Sequence, residues 1–118
     1  MRVLVCGGRN YDSWLEFTNA MILYVGVFRG PNPKITVIAG EAIGADFLAK
    51  VYAKYVGFSY EGYPAEWKQY GNRAGPLRNQ QMLDEGKPDL VIAFPGGSGT
   101  KDMVTRSKKA GIKVIEVG

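Results

Sequence analysis

Three short apolar runs in this chain each end at glycine, and each is followed by a helical pattern. Arg2–Cys6 meets Gly7-Gly8, Ile35–Ala39 meets Gly40, and Leu90–Phe94 meets Pro95 and Gly96-Gly97. Runs this short and this apolar fit strands covered on both faces, as in a parallel sheet. Parallel neighbours need a crossover, usually a helix, and the sequence supplies one after each run. Apolar residues recur at Phe17, Met21, Tyr24, Val25 and Phe28, which is helical spacing. Ser13-Trp14-Leu15-Glu16 ahead of them matches a capping box, and Arg29-Gly30-Pro31-Asn32-Pro33 ends that helix. A second helix carries Ala45, Leu48, Ala49, Tyr52 and Val56 on one face and stops at Gly57.

Phe58–Tyr63 reads as a further strand. Pro64–Gly75 has no clear period and is the longest irregular segment, a kind of segment that is often functional in compact domains. Pro76 suits the first turn of a helix running to about Glu85, ended by Gly86 and Pro88. Thr100–Ala110 reads as a helix and Ile112–Val117 as the last strand. Alternating strands and helices imply an α/β fold, three layers deep, around a mostly parallel five-stranded sheet. Right-handed crossovers favour the strand order 3-2-1-4-5. In that order the chain reverses across the sheet between strands 1 and 4. Gly7-Gly8-Arg9 and Pro95–Thr100 then face each other across one crevice, with Gly40–Asp46 on the same rim.

The 118 residues suffice for one domain, 1–118, with one modest core, and 46% of them are hydrophobic. The net charge of +4, from 15 basic and 11 acidic residues, favours anionic ligands. It falls short of the dense basic stripe of a dedicated DNA binder. There is no histidine, which removes Ser-His-Asp and Cys-His catalysis and every His-ligated metal site; no metal and no cofactor are expected. Cys6 has no second cysteine to pair with, suits a reducing compartment, and reads as a small buried residue. No apolar stretch approaches a membrane span. Arg9 and Asn10 interrupt the N-terminal apolar run, so no signal peptide is expected. The expectation is a cytoplasmic protein with no membrane partner.

Pro95-Gly96-Gly97-Ser98-Gly99-Thr100 combines a tight glycine turn with a helix start. Unpaired backbone N–H groups and a positive dipole end make such a turn a site for an anion, most often phosphate. Gly7 and Gly8 let backbone approach a ligand closely, and Arg9 can pair with phosphate. Gly44 and Ala45 are small residues at a helix start. Asp46 falls in that first turn, where it either complements the dipole or meets a ribose hydroxyl or reacting group. Glu41 would repel phosphate at this loop. Trp67 either covers the core or stacks on a nucleobase. Arg78 and Asn79 stand in the first turn of their helix, where a cation opposes the dipole, so an anionic partner would explain Arg78. The dinucleotide fingerprint is absent, because Gly7-Gly8-Arg9 lacks the third spaced glycine. So is the phosphate-loop lysine: Gly99 is followed by Thr100 and then Lys101.

Taken in order, five segments resemble the SLOG superfamily, named for the Smf/DprA and LOG proteins, and within it the YspA-like branch. They are Val5–Tyr11, Gly40–Asp46, Pro64–Trp67, Gly75–Asn79 with Met82, and Phe94–Thr100. The resemblance implies a Rossmann-like fold, a nucleotide or nucleotide-derived ligand, a bacterial or phage setting and a homo-oligomer. Glu41 and Ile43 stand where branch members often carry glycine and arginine. Met103 stands where LOG phosphoribohydrolases carry a glutamate three places after the threonine, and a thioether is no general base. Asp102, one residue earlier, points roughly 100° away around a helix.

Three functions follow as expectations. The first is a sensor or sequestering protein, with phosphate on Gly96–Thr100 beside Arg9 or Arg78, and base or ribose near Trp67 and Asp46. The second is a nucleoside-monophosphate phosphoribohydrolase resembling LOG enzymes, with Asp46 and Asp102 as its candidate catalytic carboxylates. The third is a single-stranded DNA binder resembling Smf/DprA, using the bases and aromatics between Trp67 and Arg78.

Overall fold

The computed structural model describes residues 1–26, 30–32 and 34–118. Phe28, Arg29 and Pro33 of the expected first helix and its breaker lie outside the described residues. The order of elements is β1 (Arg2–Cys6), α1 (Trp14–Tyr24), β2 (Thr36–Ala39), α2 (Ala45–Val56), β3 (Ser59–Gly62), α3 (Trp67–Tyr70) and a 3₁₀ turn (Gly71–Arg73). Then come α4 (Ala74–Asp84), β4 (Leu90–Ala93), α5 (Ser98–Lys109) and β5 (Lys113–Glu116).

The five strands form one sheet in the order β3-β2-β1-β4-β5, the order expected. Every pairing is parallel, so the sheet is fully rather than mostly parallel. In the central strands, alternate side chains decide which helices they meet. Val3 and Val5 of β1, Val37 of β2 and Ile92 of β4 face α1 and α2, packing with Phe17, Met21, Ala49 and Tyr52. Leu4 and Cys6, Ile38 and Val91 face the other way, onto Met82 and Leu83 of α4 and Met103 and Val104 of α5. Each large apolar side chain so buried contributes about 1.5–3 kcal/mol. Burial of β1 and β4 on both faces is why their sequences are continuous apolar runs rather than alternating ones.

Helix ends follow local chemistry. Ser13 Oγ accepts from the Glu16 N–H at 3.3 Å, one half of the expected capping box. Gly57 closes α2 in the left-handed region at φ 81°. The segment expected to be irregular holds α3 and the 3₁₀ turn, and α4 begins at Ala74, two residues before Pro76. Proline at the third helical position keeps its ring harmless, since that N–H would be unpaired anyway. Helix α5 begins at Ser98, two residues earlier than expected, because Gly99 inside its first turn does not prevent helix formation there. No helix among the described residues is long and apolar enough to cross a membrane.

Candidate functional site

The two glycine loops meet at the switch point between β1 and β4. The Gly8 N–H donates to the Pro95 carbonyl at 2.9 Å. The Gly8 carbonyl in turn accepts from Tyr11 and from Ala45, the first residue of α2, both at 3.2 Å. Gly44 makes this junction feasible: its φ is 80°, and a Cβ there would run into the Gly8 carbonyl. Three chain segments are therefore bound together at one edge of the sheet, as the strand order required.

A cleft of about 760 Å³ opens beside this junction. Gly7, Gly8 and Arg9 form one side, Asp46 and Ala42 another, Trp67 and Asn72 the rim, and Arg78, Asn79 and Met82 of α4 a third wall. Gly97, Ser98, Gly99, Thr100 and Asp102 of α5 complete it. Of the residues singled out from sequence, Gly44, Pro95 and Gly96 do not line the cleft. They hold the loops together instead: Gly44 and Gly96 pack against the loop after β1, and Pro95 offers its carbonyl to Gly8.

The start of α5 faces this space. Gly97 caps the helix without a side-chain bond, and the first helical acceptor interaction is Lys101 N–H to the Gly97 carbonyl at 3.1 Å. The N–H groups of Ser98, Gly99 and Thr100 meet no protein acceptor among the described residues. Such a group of donors carries the positive end of the helix dipole. A Cβ placed on Gly97 or Gly99 would meet nothing within 4 Å, so the turn stands open to the cleft.

Asp46 lies at the opposite side, only 7% exposed. Its Oδ2 accepts from the Ala42 N–H at 3.2 Å. Burial pushes its carboxyl up to about 6, against the opposing pull of the Ala42 bond and the Arg78 charge. Arg78 lies between the ends of β2 and β3. Its Nη1 donates to the Gly40 carbonyl and, more weakly, to that of Tyr63 at 3.5 Å. Gly40 leaves the guanidinium room, since a Cβ there would overlap it. Because α4 begins at Ala74, Arg78 and Asn79 lie past its first turn and not in it as expected, so the cation does not oppose the dipole there; carbonyl oxygens and the Asp46 carboxylate are its neighbours. Burial lowers its pKa from the ordinary value.

Asn79 is 5% exposed and fully engaged. Its Oδ1 accepts from Arg78 Nε at 3.2 Å, and its Nδ2 donates to the Gly99 carbonyl at 3.2 Å and Asp102 Oδ2 at 3.0 Å. The same Asp102 oxygen accepts from Arg106 Nε at 2.8 Å. Asn79 therefore joins α4 to the first turn of α5, and Asp102 is held in an ion pair beside the cleft. Met103 is fully buried in the layer with Met82 and Leu83, so its side chain belongs to the core.

Arg9 is exposed, and its guanidinium lies 5.8 Å from the centre of the Trp67 ring, cation–π distance. Trp67 is 46% exposed and stands at the rim of the cleft, not over the core. Glu41 turns away from the cleft toward Lys50, 3.4 Å distant, so its charge does not face the α5 turn. Sequence reasoning missed Ala42 and Asn72 as lining residues. Ala42 carries no chemical signal in its side chain, and Asn72 lies in the aperiodic segment. Cys6 also borders the cleft, and burial raises its thiol to about 12, which keeps it protonated and inert.

No family model matches the chain. Over 124 aligned residues it is 34% identical to the Gene 61 protein of Mycobacterium phage D29, an alignment covering 99% of this chain and 96% of that one.

Proposed function

The chain belongs to the family of the phage D29 Gene 61 protein, and within that family we propose that it binds a nucleotide or nucleotide-derived signal as a sensor or sequestering protein. One observation carries the reading: the unpaired N–H groups of Ser98, Gly99 and Thr100 open onto the same cleft as Arg9, Trp67 and the buried Asp46. Phosphate belongs on the α5 turn, with the exposed Arg9 as its cation. The Trp67 face offers a stacking surface for a base, and the Asp46 carboxylate accepts from ribose hydroxyls. Arg78 contributes its charge across the floor while remaining bonded to the Gly40 carbonyl. The resemblance to the SLOG superfamily agrees with this assignment. Native mass spectrometry of protein purified from cells tests it. A nucleotide-sized adduct is expected. Protein that stays empty, and takes up no mononucleotide or signalling nucleotide added in excess, would overturn it.

One observation favours N-glycosidic hydrolysis as a second reading. Asp46 is a cleft carboxylate whose pKa of about 6 suits proton transfer near neutrality. Release of free base from nucleoside monophosphates, abolished by Asp46→Asn, would establish it. Asp102 is the poorer candidate, because Arg106 and Asn79 both bond to the same one of its oxygens.

A further inference from the structure

The chain entering α5 is built from the residues least able to hold one conformation. Gly96, Gly97 and Gly99 surround Ser98, and glycine gives up more backbone freedom on ordering than any other residue. Gly97 caps the helix with no side-chain bond, and Cβ atoms at 97 and 99 would touch nothing within 4 Å. The bond from Gly8 to Pro95 pins the chain ahead of the turn. Inside the turn, the one side chain among the described residues that bonds its backbone is Asn79 of α4. Its Nδ2 donates to the Gly99 carbonyl at 3.2 Å. Peptide geometry gives that bond a consequence. The Gly99 carbonyl and the Thr100 N–H belong to one planar trans peptide and point in opposite directions. A bond that fixes the carbonyl therefore fixes the N–H as well, and Thr100 lines the cleft.

The Asn79 amide is itself held in one orientation. Its Oδ1 accepts from Arg78 Nε at 3.2 Å, and its Nδ2 faces two acceptors, the Gly99 carbonyl and Asp102 Oδ2 at 3.0 Å. The reverse orientation would set Oδ1 against both acceptors and the NH₂ against a guanidinium N–H. At 5% exposure, water would relieve neither mismatch. Arg78 in turn is bonded to the Gly40 carbonyl beyond the end of β2. The direction of the Thr100 N–H is thus set from the sheet, through two side chains of α4. We infer, on the reading of this turn as the phosphate site, that Asn79 is a positioning residue. It holds the donors of the α5 turn in the geometry that receives an anion, rather than bonding the ligand itself, since both of its N–H donors are committed. This differs from the ligand contact that its place in the sequence suggested.

Amide relaxation by NMR on the ligand-free full chain tests this. In wild type the Gly99 and Thr100 amides should be as rigid as the body of α5, with order parameters of about 0.85. Asn79→Ala removes the donor to Gly99, and Asn79→Asp removes it while keeping the acceptor for Arg78. In either variant those two amides should fall to about 0.6 or below. Inorganic phosphate, followed through the same amides, should bind Asn79→Ala at least about tenfold more weakly than wild type, because the turn must then be ordered on binding. Arg106→Ala separates positioning from stability. It cuts a different link between α4 and α5, the bonds to Asp102 and Gln80, so Tm should fall while the turn stays rigid. A wild-type turn that is already flexible would overturn the proposal. So would folded Asn79 variants whose turn stays rigid, or an Arg106→Ala that loosens the turn as much. Wild-type amides that respond to neither phosphate nor nucleotide would instead overturn the proposed function, and the order parameters would still show whether Asn79 holds the turn.

Discussion

The Gly8 N–H donates to the Pro95 carbonyl at 2.9 Å, joining two glycine turns from opposite ends of the sequence. The bond explains why the turns share one cleft. It fixes the loop after β1 against the loop after β4, so the backbone that carries Arg9 is held at the start of α5. On the proposed function, donors preorganised in this way would need no ordering when an anion binds, which lowers the conformational-entropy cost.

Arg78→Ala should destabilise the protein with no ligand present. The substitution removes charge-assisted bonds to the Gly40 and Tyr63 carbonyls and the bond to Asn79, a loss of about 2–3 kcal/mol. Thermal unfolding should show a Tm lower by on the order of 10 °C. An unchanged Tm would mean that these bonds add nothing to the fold and that Arg78 serves the ligand alone.

The contacts of Arg78 bear on how much the sequence could disclose. Strand order was legible because apolar runs, glycine stops and crossover handedness leave few topologies, and Leu4, Val5, Val91 and Ile92 sit where that logic puts them. The cleft was legible for the same reason: strand order alone brings Gly8, Arg9 and Ser98 to one edge. The uses of Arg78 and Asn79 were not. Both read as ligand groups because no local pattern reveals that the chain ends of β2, β3 and the α5 turn will supply their partners. Nor did periodicity reveal α3, since a helix of four residues has too few turns to show one.

Asp46 should make stability depend on pH. Its folded pKa of about 6 lies above the ~3.9 of an unfolded aspartate, so the folded state binds more protons between those values. Stability should therefore fall as pH rises from about 4 to about 6, with the full cost, up to about 3 kcal/mol, present above that window. Asp46→Asn has no such titration. Urea unfolding of both proteins across pH 4 to 7 should show the variant gaining on wild type through the window and levelling off above it. A difference that does not vary with pH would contradict the assignment.

Trp67 should report on the ligand. With Arg9 5.8 Å from its ring, a nucleotide that draws Arg9 to its phosphate and stacks its base will change the indole emission. Nucleotide titration should alter wild-type fluorescence, and the change should vanish in Trp67→Phe, which leaves Trp14 as a constant background. Inorganic phosphate should produce a much smaller change. A response retained in Trp67→Phe would place the base elsewhere.

Gly97 offers the most direct test of the central claim. A Cβ at this position meets nothing within 4 Å, so Gly97→Val narrows the cleft; its backbone, at φ −95° and ψ −144°, lies outside the regions that β-branched residues favour, so the fold of the variant is checked by circular dichroism. Calorimetric titration of a nucleotide panel into wild type and Gly97→Val decides the matter. The expected result is saturable binding to wild type and at least a tenfold loss, about 1.4 kcal/mol, in a variant that remains folded. Equal binding to both proteins would remove the ligand from the α5 turn, and a wild type that binds no nucleotide would contradict the proposed function itself.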